Sequence, residues 1–223
     1  MQVCYKKIID SPLFEGIDEK DMDIVMNCMN SFEKHFYKGE FIILEQDKVS
    51  NIGVIISGTV DMIKEDIWGN KTIIVRMKTG ELFGETFACG NDIVSAVSFV
   101  SSSDCEVLFL SVERVLRSCG KSCEFHYKLI ENMVGIIADK NKKLMEKMDI
   151  ISKKNLREKI MAYLSYQSQL QNNSRFESPL GRIELAQYLC TDRSALTREL
   201  TNMKTEGIID FKKNKFEILK EDE

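Results

Sequence analysis

The period of the hydrophobic positions changes twice along this chain. A short lead containing Ser11-Pro12 runs into apolar residues at helical spacing, which predicts a helix from about Glu19 to Met29. From residue 32 to 110 the apolar positions gather instead in short, β-branched runs: Phe41–Leu44, Gly53–Ile56, Thr59–Ile63, Lys71–Met77, Ala96–Val100 and Glu106–Leu110. Such runs fit a pleated, half-buried surface. Lys38-Gly39, Ser57-Gly58, Gly69-Asn70 and Thr79-Gly80 supply the turns between them. Many short strands with regular turn signals predict a β-sandwich or jelly roll.

The helical period returns at Ser111. Over residues 121–151, Cys123, Tyr127, Ile130, Val134, Ile137, Asn141, Leu144, Met148 and Ile151 recur in alternating steps of four and three. That is an a/d seam of about four heptads, the pattern of a two-stranded coiled coil. Asn141 holds one inward position, where a single Asn sets register and favours two strands at some cost in stability. The seam predicts a homodimer through Ile130, Val134, Ile137, Asn141, Leu144 and Met148. A second stripe, Leu129, Met133 and Ile136, is expected to pack on the strands before it.

Residues 152–170 read as another helix with Ser152 as N-cap, followed by the polar loop Gln171–Ser174. Residues 181–200 then read as helix, tight turn, helix. Leu185, Ala186 and Leu189 are the apolar stripe of the first, and Leu196 and Leu200 that of the second. Asp192 is placed to cap the second helix, whose other face carries Arg193, Ser194, Thr197 and Arg198. A helix that reads a major groove needs this division, with one side docked and the first turns facing base edges. Arginine suits it because its planar fork donates twice to guanine O6 and N7. Arg182, at the start of the first helix, suits a phosphate. Ile208–Phe211 and Phe216–Leu219 flank Lys212-Lys213-Asn214-Lys215, a hairpin wing with three lysines at its tip.

The net charge of −4 looks wrong for a nucleic-acid binder until it is divided along the chain. Residues 1–151 carry 18 Lys/Arg against 24 Asp/Glu, whereas residues 152–220 carry 13 against 8. The basic surplus is local to the two-helix motif, as a phosphate footprint should be. No apolar run is long enough for a membrane span, and Met1–Asp10 lacks a signal-peptide core, so a cytoplasmic protein without membrane partner is expected. Its seven cysteines then read as reduced thiols. Two histidines, His35 and His126, with no His-x-His, exclude a cupin-type metal enzyme and give haem little support. No nucleophile elbow, P-loop or zinc-protease motif occurs; no enzyme, metal or cofactor is expected.

With these features the chain resembles the Crp/Fnr family of bacterial transcription regulators over nearly its whole length. The resemblance rests on Lys38-Gly39-Glu40, Ile56-Ser57-Gly58-Thr59-Val60, Gly69-Asn70, Gly80-Glu81-Leu82-Phe83-Gly84-Glu85, Leu185-Ala186, Asp192–Arg198 and Glu206-Gly207-Ile208-Ile209. It implies an α+β chain in three parts: an effector-sensing double-stranded β-helix or jelly roll at 1–120, a dimerisation helix at 121–151, and a winged helix-turn-helix at 152–223. It also implies palindromic double-stranded DNA, RNA polymerase and a small-molecule effector as partners. The effector pocket is then expected between roll and long helix, near Phe83, Gly84, Glu85, Val94, Ser95 and Met133.

Departures from the family pattern matter here. Members that bind cyclic AMP keep an arginine directly before a Ser/Thr-Ala pair; this chain has Val94 before Ser95-Ala96. No Lys or Arg occurs between Lys78 and Arg114. Burying an unpaired phosphate charge is prohibitive, so an effector other than cyclic AMP is expected unless a residue such as Lys64 or Arg76 supplies the charge. Cys4 and Cys28 do not form the clustered set of an iron–sulfur member. The alternatives are a cyclic-nucleotide-dependent regulator, or a thiol sensor using Cys89, Cys119 or Cys123. Cys190 stands in the helix-turn-helix turn, where glycine is common because the backbone takes positive φ.

Overall fold

The computed structural model describes residues 8–68, 71–90, 94–116 and 124–219. They form two compact units, 1–139 and 140–223, which divide inside the long helix α4 (Glu124–Ile151). The Gly69-Asn70 turn, Cys119 and Cys123 lie outside the described residues.

The first unit is a roll of two four-stranded antiparallel sheets. One runs β1 (Phe32–Phe36), β8 (Cys105–Ser111), β3 (Asn51–Ser57), β6 (Leu82–Phe83); the other runs β2 (Phe41–Ile43), β7 (Ser98–Ser101), β4 (Thr59–Glu65), β5 (Lys71–Lys78). Their inner faces meet in one core, with Ile52, Val54, Val60, Phe83, Phe99, Leu108 and Leu110 all buried. Gly53 admits the Phe83 ring: a Cβ there would lie 2.4 Å from it. Leu129 and Met133 of α4 join this core and Ile136 packs against it, as the second helical stripe predicts.

Two expectations need correction in this unit. The single helix over 19–29 is a 3-10 turn, Glu19–Asp21, followed by α1 (Met22–Cys28). Strand β1 was not legible, because Glu33, Lys34 and His35 break up its apolar pattern; pairing with β8 makes it a strand. Two short helices, α2 (Glu85–Ala88) and α3 (Val112–Leu116), complete the unit.

The second unit packs α5 (Leu156–Gln171), α6 (Arg182–Tyr188) and α7 (Arg193–Thr205) with a sheet of β10 (Ile209–Lys212), β11 (Lys215–Ile218) and β9 (Arg175–Glu177). The expected cap at Ser152 is wrong. Ser152 bonds back to the Asp149 carbonyl at the end of α4, and Asn155 caps α5 by accepting from the Glu158 N–H at 2.9 Å. Glu158 in turn accepts from the Lys154 N–H at 3.1 Å and from the Asn155 side-chain amide at 2.8 Å. The last turns of α4 belong to this unit: Ile150 is in its core, and the Tyr166 hydroxyl donates to Glu146. That acceptor pushes the Tyr166 hydroxyl up to about 12. Among the described residues no helix is long and apolar enough to cross a membrane.

Candidate functional site

Helices α6 and α7 meet through Leu185, Ala186, Leu189, Leu196, Leu200 and Met203, all buried. The turn between them passes through Cys190 at φ +54°, the left-handed conformation the sequence position suggested. Asp192 caps α7 by accepting from the Ala195 N–H at 2.8 Å and from the Ser194 hydroxyl at 2.5 Å. The Ser194 bond and then the Ala195 N–H hold its carboxyl below the usual range. Arg157 of α5 fixes the far side of α7, bonding Glu199 at 2.7 Å and Glu206 through two nitrogens at 2.7 Å each.

With α7 anchored this way, its outer face is open. Arg193, Ser194, Thr197 and Arg198 are exposed and line one shallow concavity together with Thr201 and Asn202. Among the described residues neither Arg193 nor Arg198 has a carboxylate partner. Thr201 and Asn202 were not singled out from the sequence. The available signal was their spacing, one turn beyond Thr197 and Arg198.

The wing carries Lys212, Lys213 and Lys215, all exposed. Arg182 is not simply a solvated cation. Its guanidinium lies 4.7 Å from the Phe211 ring centroid and 5.2 Å from that of Phe216, and donates to the Lys213 carbonyl at 3.1 Å. It ties the start of α6 to the wing, half-buried, and burial lowers its pKa. Strand β9 adds a third strand that pairs with β11, and Asn214 at the wing tip donates to Glu177 at 2.9 Å.

In the roll, Phe83 is buried against Phe99, ring centroids 5.2 Å apart. Gly84 takes φ +83° to cap α2, which a residue with a Cβ adopts only under strain. Glu85 is buried in the first turn of α2. Ser95 is buried and self-satisfied, donating to the Val97 carbonyl at 2.7 Å. Cys89 Sγ, at the end of α2, lies 4.0 Å from Met133 Sδ of α4. Burial and, secondarily, Glu85 push the Cys89 thiol up, opposite to what a reactive thiolate needs. Both cations considered as phosphate partners are engaged: Arg76 with Asp61 at 2.7 and 2.8 Å, Lys64 with Glu45 at 2.5 Å and the Ala96 carbonyl at 2.8 Å. A cation that sequence reasoning missed is Lys48, exposed, which stands opposite Val94 in an isolated antiparallel bridge. Nothing in the sequence pattern signals that pairing.

Along α4 the a/d positions Tyr127, Val134, Ile137, Asn141, Leu144 and Met148 are exposed, Tyr127 by 77% and Met148 by 58%; Ile130 is half-buried. His126 is buried, its Nε2 3.1 Å from the Arg114 carbonyl, while His35 is exposed.

The profile of the cyclic nucleotide-binding domain matches residues 33–122, and that of the Crp-like helix-turn-helix domain matches residues 158–223. The chain belongs to the Crp/Fnr family. It is 25% identical over 203 residues to the cyclic AMP receptor protein of Thermus thermophilus, covering 89% of this chain and 88% of that one. Among solved structures, the catabolite activator protein of Thermus thermophilus shares the fold at 20% identity, with a TM-score of 0.50 and 93% of each chain covered. So does the c-di-GMP responsive global regulator CLP of Xanthomonas campestris, at 17% identity and a TM-score of 0.56, over 89% of this chain and 98% of that one. This Crp/Fnr chain is therefore a DNA-binding transcription regulator with a cyclic-nucleotide-binding-type domain.

Proposed function

We propose that the chain works in the cytoplasm as a homodimer that binds palindromic double-stranded DNA and acts through RNA polymerase under control of a small molecule. The observation that carries the DNA-reading part is α7. Its inner side is locked by Leu196, Leu200, Met203 and the Arg157 ion pairs, while its outer face offers Arg193 and Arg198 with no competing carboxylate among the described residues. Arg198 reads a guanine, Arg193 a base or adjoining phosphate, and Ser194 and Thr197 flank them. Arg182 and the wing lysines serve the phosphate backbone, Arg182 through donors left over from its bond to Lys213.

The dimer reading is supported by the exposed apolar a/d row of α4. A helix side that alternates Val134, Ile137, Leu144 and Met148 in water has a favourable partner in a second copy. Dimerisation supplies the two linked recognition helices that two half-sites require.

The effector is proposed to bind by Phe83, Gly84, Glu85, Val94, Ser95 and Met133, and not to be cyclic AMP. Arg76 and Lys64 already hold protein partners, and Val94 offers no charge. A neutral or weakly cationic ligand suits the buried Glu85. Gel shift of the full-length protein on an operator chosen from random duplexes tests the DNA reading. A bound site with two inverted half-sites supports it, and equal affinity for every duplex overturns it.

A further inference from the structure

The outer face of α7 carries a ladder of threonines whose hydroxyl protons are all spent inside the helix. Thr197 donates to the Arg193 carbonyl at 2.8 Å, Thr201 to the Thr197 carbonyl at 2.8 Å, and Thr205 to the Thr201 carbonyl at 2.9 Å. The Ser194 hydroxyl is likewise committed, to Asp192. Each bond pins χ1, because a threonine in a helix chooses its rotamer by whether Oγ1 reaches the preceding turn. With Oγ1 turned back to the carbonyl, the Cγ2 methyl occupies the other branch of Cβ. Two of these residues, Thr197 and Thr201, lie in the concavity that holds Arg193 and Arg198. The face therefore presents guanidinium donors next to two fixed methyls, and its hydroxyls have no proton to donate.

We infer that Thr197 and Thr201 are specificity residues that read thymine through its C5-methyl group, beside the base read by Arg198. The inference rests on the DNA-reading role of α7 proposed above. In the major groove the thymine methyl is the one apolar mark on a base edge, and a threonine methyl is an apolar group that can meet it. A hydroxyl free to rotate would accept or donate to several bases. A back-bonded one loses the donor option, keeps only its acceptor lone pairs, and holds its methyl in one place as the apolar contact a thymine can use. Thr201 extends the reading by one helical turn beyond the arginines, so the thymine preference falls on more than one step of each half-site.

The test uses the full-length dimer and duplexes carrying the operator selected from a random library. Uracil replaces thymine one position at a time, which removes the methyl and keeps the base pair. Each methyl read should cost about fourfold in affinity, the worth of one buried methyl-sized group. Thr201→Ser and Thr197→Ser should each weaken the thymine duplex by a similar factor and become indifferent to uracil at one position. Thr201→Val, which keeps the methyl and replaces the hydroxyl with a second one, should still discriminate. Uracil duplexes bound as tightly as thymine ones, with Arg198→Ala still relaxing selectivity at one base pair per half-site, would overturn methyl reading and leave DNA reading standing. A uracil penalty that persists in both serine variants would overturn it too, since another residue would then meet the methyl. Absence of any selected sequence would remove the DNA-reading role on which the inference depends.

Discussion

The Arg182 guanidinium lies 4.7 Å from the Phe211 ring centroid and donates to the carbonyl of Lys213, one residue into the wing tip. Planar stacking and a directed N–H bond both depend on the guanidinium shape, which lysine lacks. Arg182→Ala should weaken specific and random DNA by a similar factor and lower the salt slope by about one. Arg182→Lys should keep the slope but lose part of the affinity, because charge survives while the wing loses its tether. Salt titrations of Kd for both variants check this; two variants that bind like the parent would refute it.

Arg198 sits one turn into α7, exposed on its outer face. Its replacement by Ala should cost roughly 1–3 kcal/mol on the operator and relax selectivity at one base pair per half-site. Competition binding with single-base operator variants reads this out. An equal loss on operator and random DNA would assign Arg198 to phosphate instead.

Ile137 lies mid-seam on α4, next to Asn141 in heptad order. Ile137→Asp places a charge where apolar contact is expected, so sedimentation should report monomers with little operator affinity. An unmodified protein that sediments as a monomer at micromolar concentration would end the dimer reading.

Arg157 holds Glu206 and Glu199, and the Glu206 carboxyl lies below its usual range because of that hydrogen bond. Asp210 is held down in the same way by Lys204. A carboxyl depressed by folding adds stability above its unfolded value, about 4 for these groups, and loses it as pH falls through its folded value. Arg157→Ala should therefore lower the thermal midpoint by a few degrees at pH 7 and by little at pH 3. Melting curves across that range decide it; a pH-independent difference would contradict the ion-pair origin.

Calorimetry with cyclic AMP and cyclic GMP should show no binding at physiological concentrations. Low-micromolar binding abolished by Glu85→Ala and by Lys48→Ala would show that Lys48, opposite Val94, neutralises the phosphate that the cassette cannot. Binding lost on Glu85→Ala alone would point to a charge from elsewhere.

The helix-turn-helix itself was legible residue by residue because its information is local. Asp192 caps its own helix, Cys190 lies in the left-handed region within its own turn, and Leu196 and Leu200 share a face by period alone. The exposed seam of α4 and the buried stripe of Leu129 and Met133 were legible for the same reason. The jelly roll followed from its turn glycines and β-branched runs, apart from its least apolar strand. Strands β1 and β9 escaped because neighbours, not their own composition, make them strands. Asn155 takes the cap that Ser152, three residues earlier, also suits by composition, because its side chain meets the Glu158 N–H at the start of α5.

The amino-acid sequence thus determined most of the elements, their faces and the pair of arginines on the open side of α7, since each depends on spacings within a few turns of chain. Only the tertiary structure decided which distant side chains meet. It set Lys48 against Val94, Arg76 on Asp61, Arg157 between Glu199 and Glu206, and Arg182 over the wing's aromatic rings. Those contacts join residues well separated along the chain, and packing, which no local period encodes, brings them together.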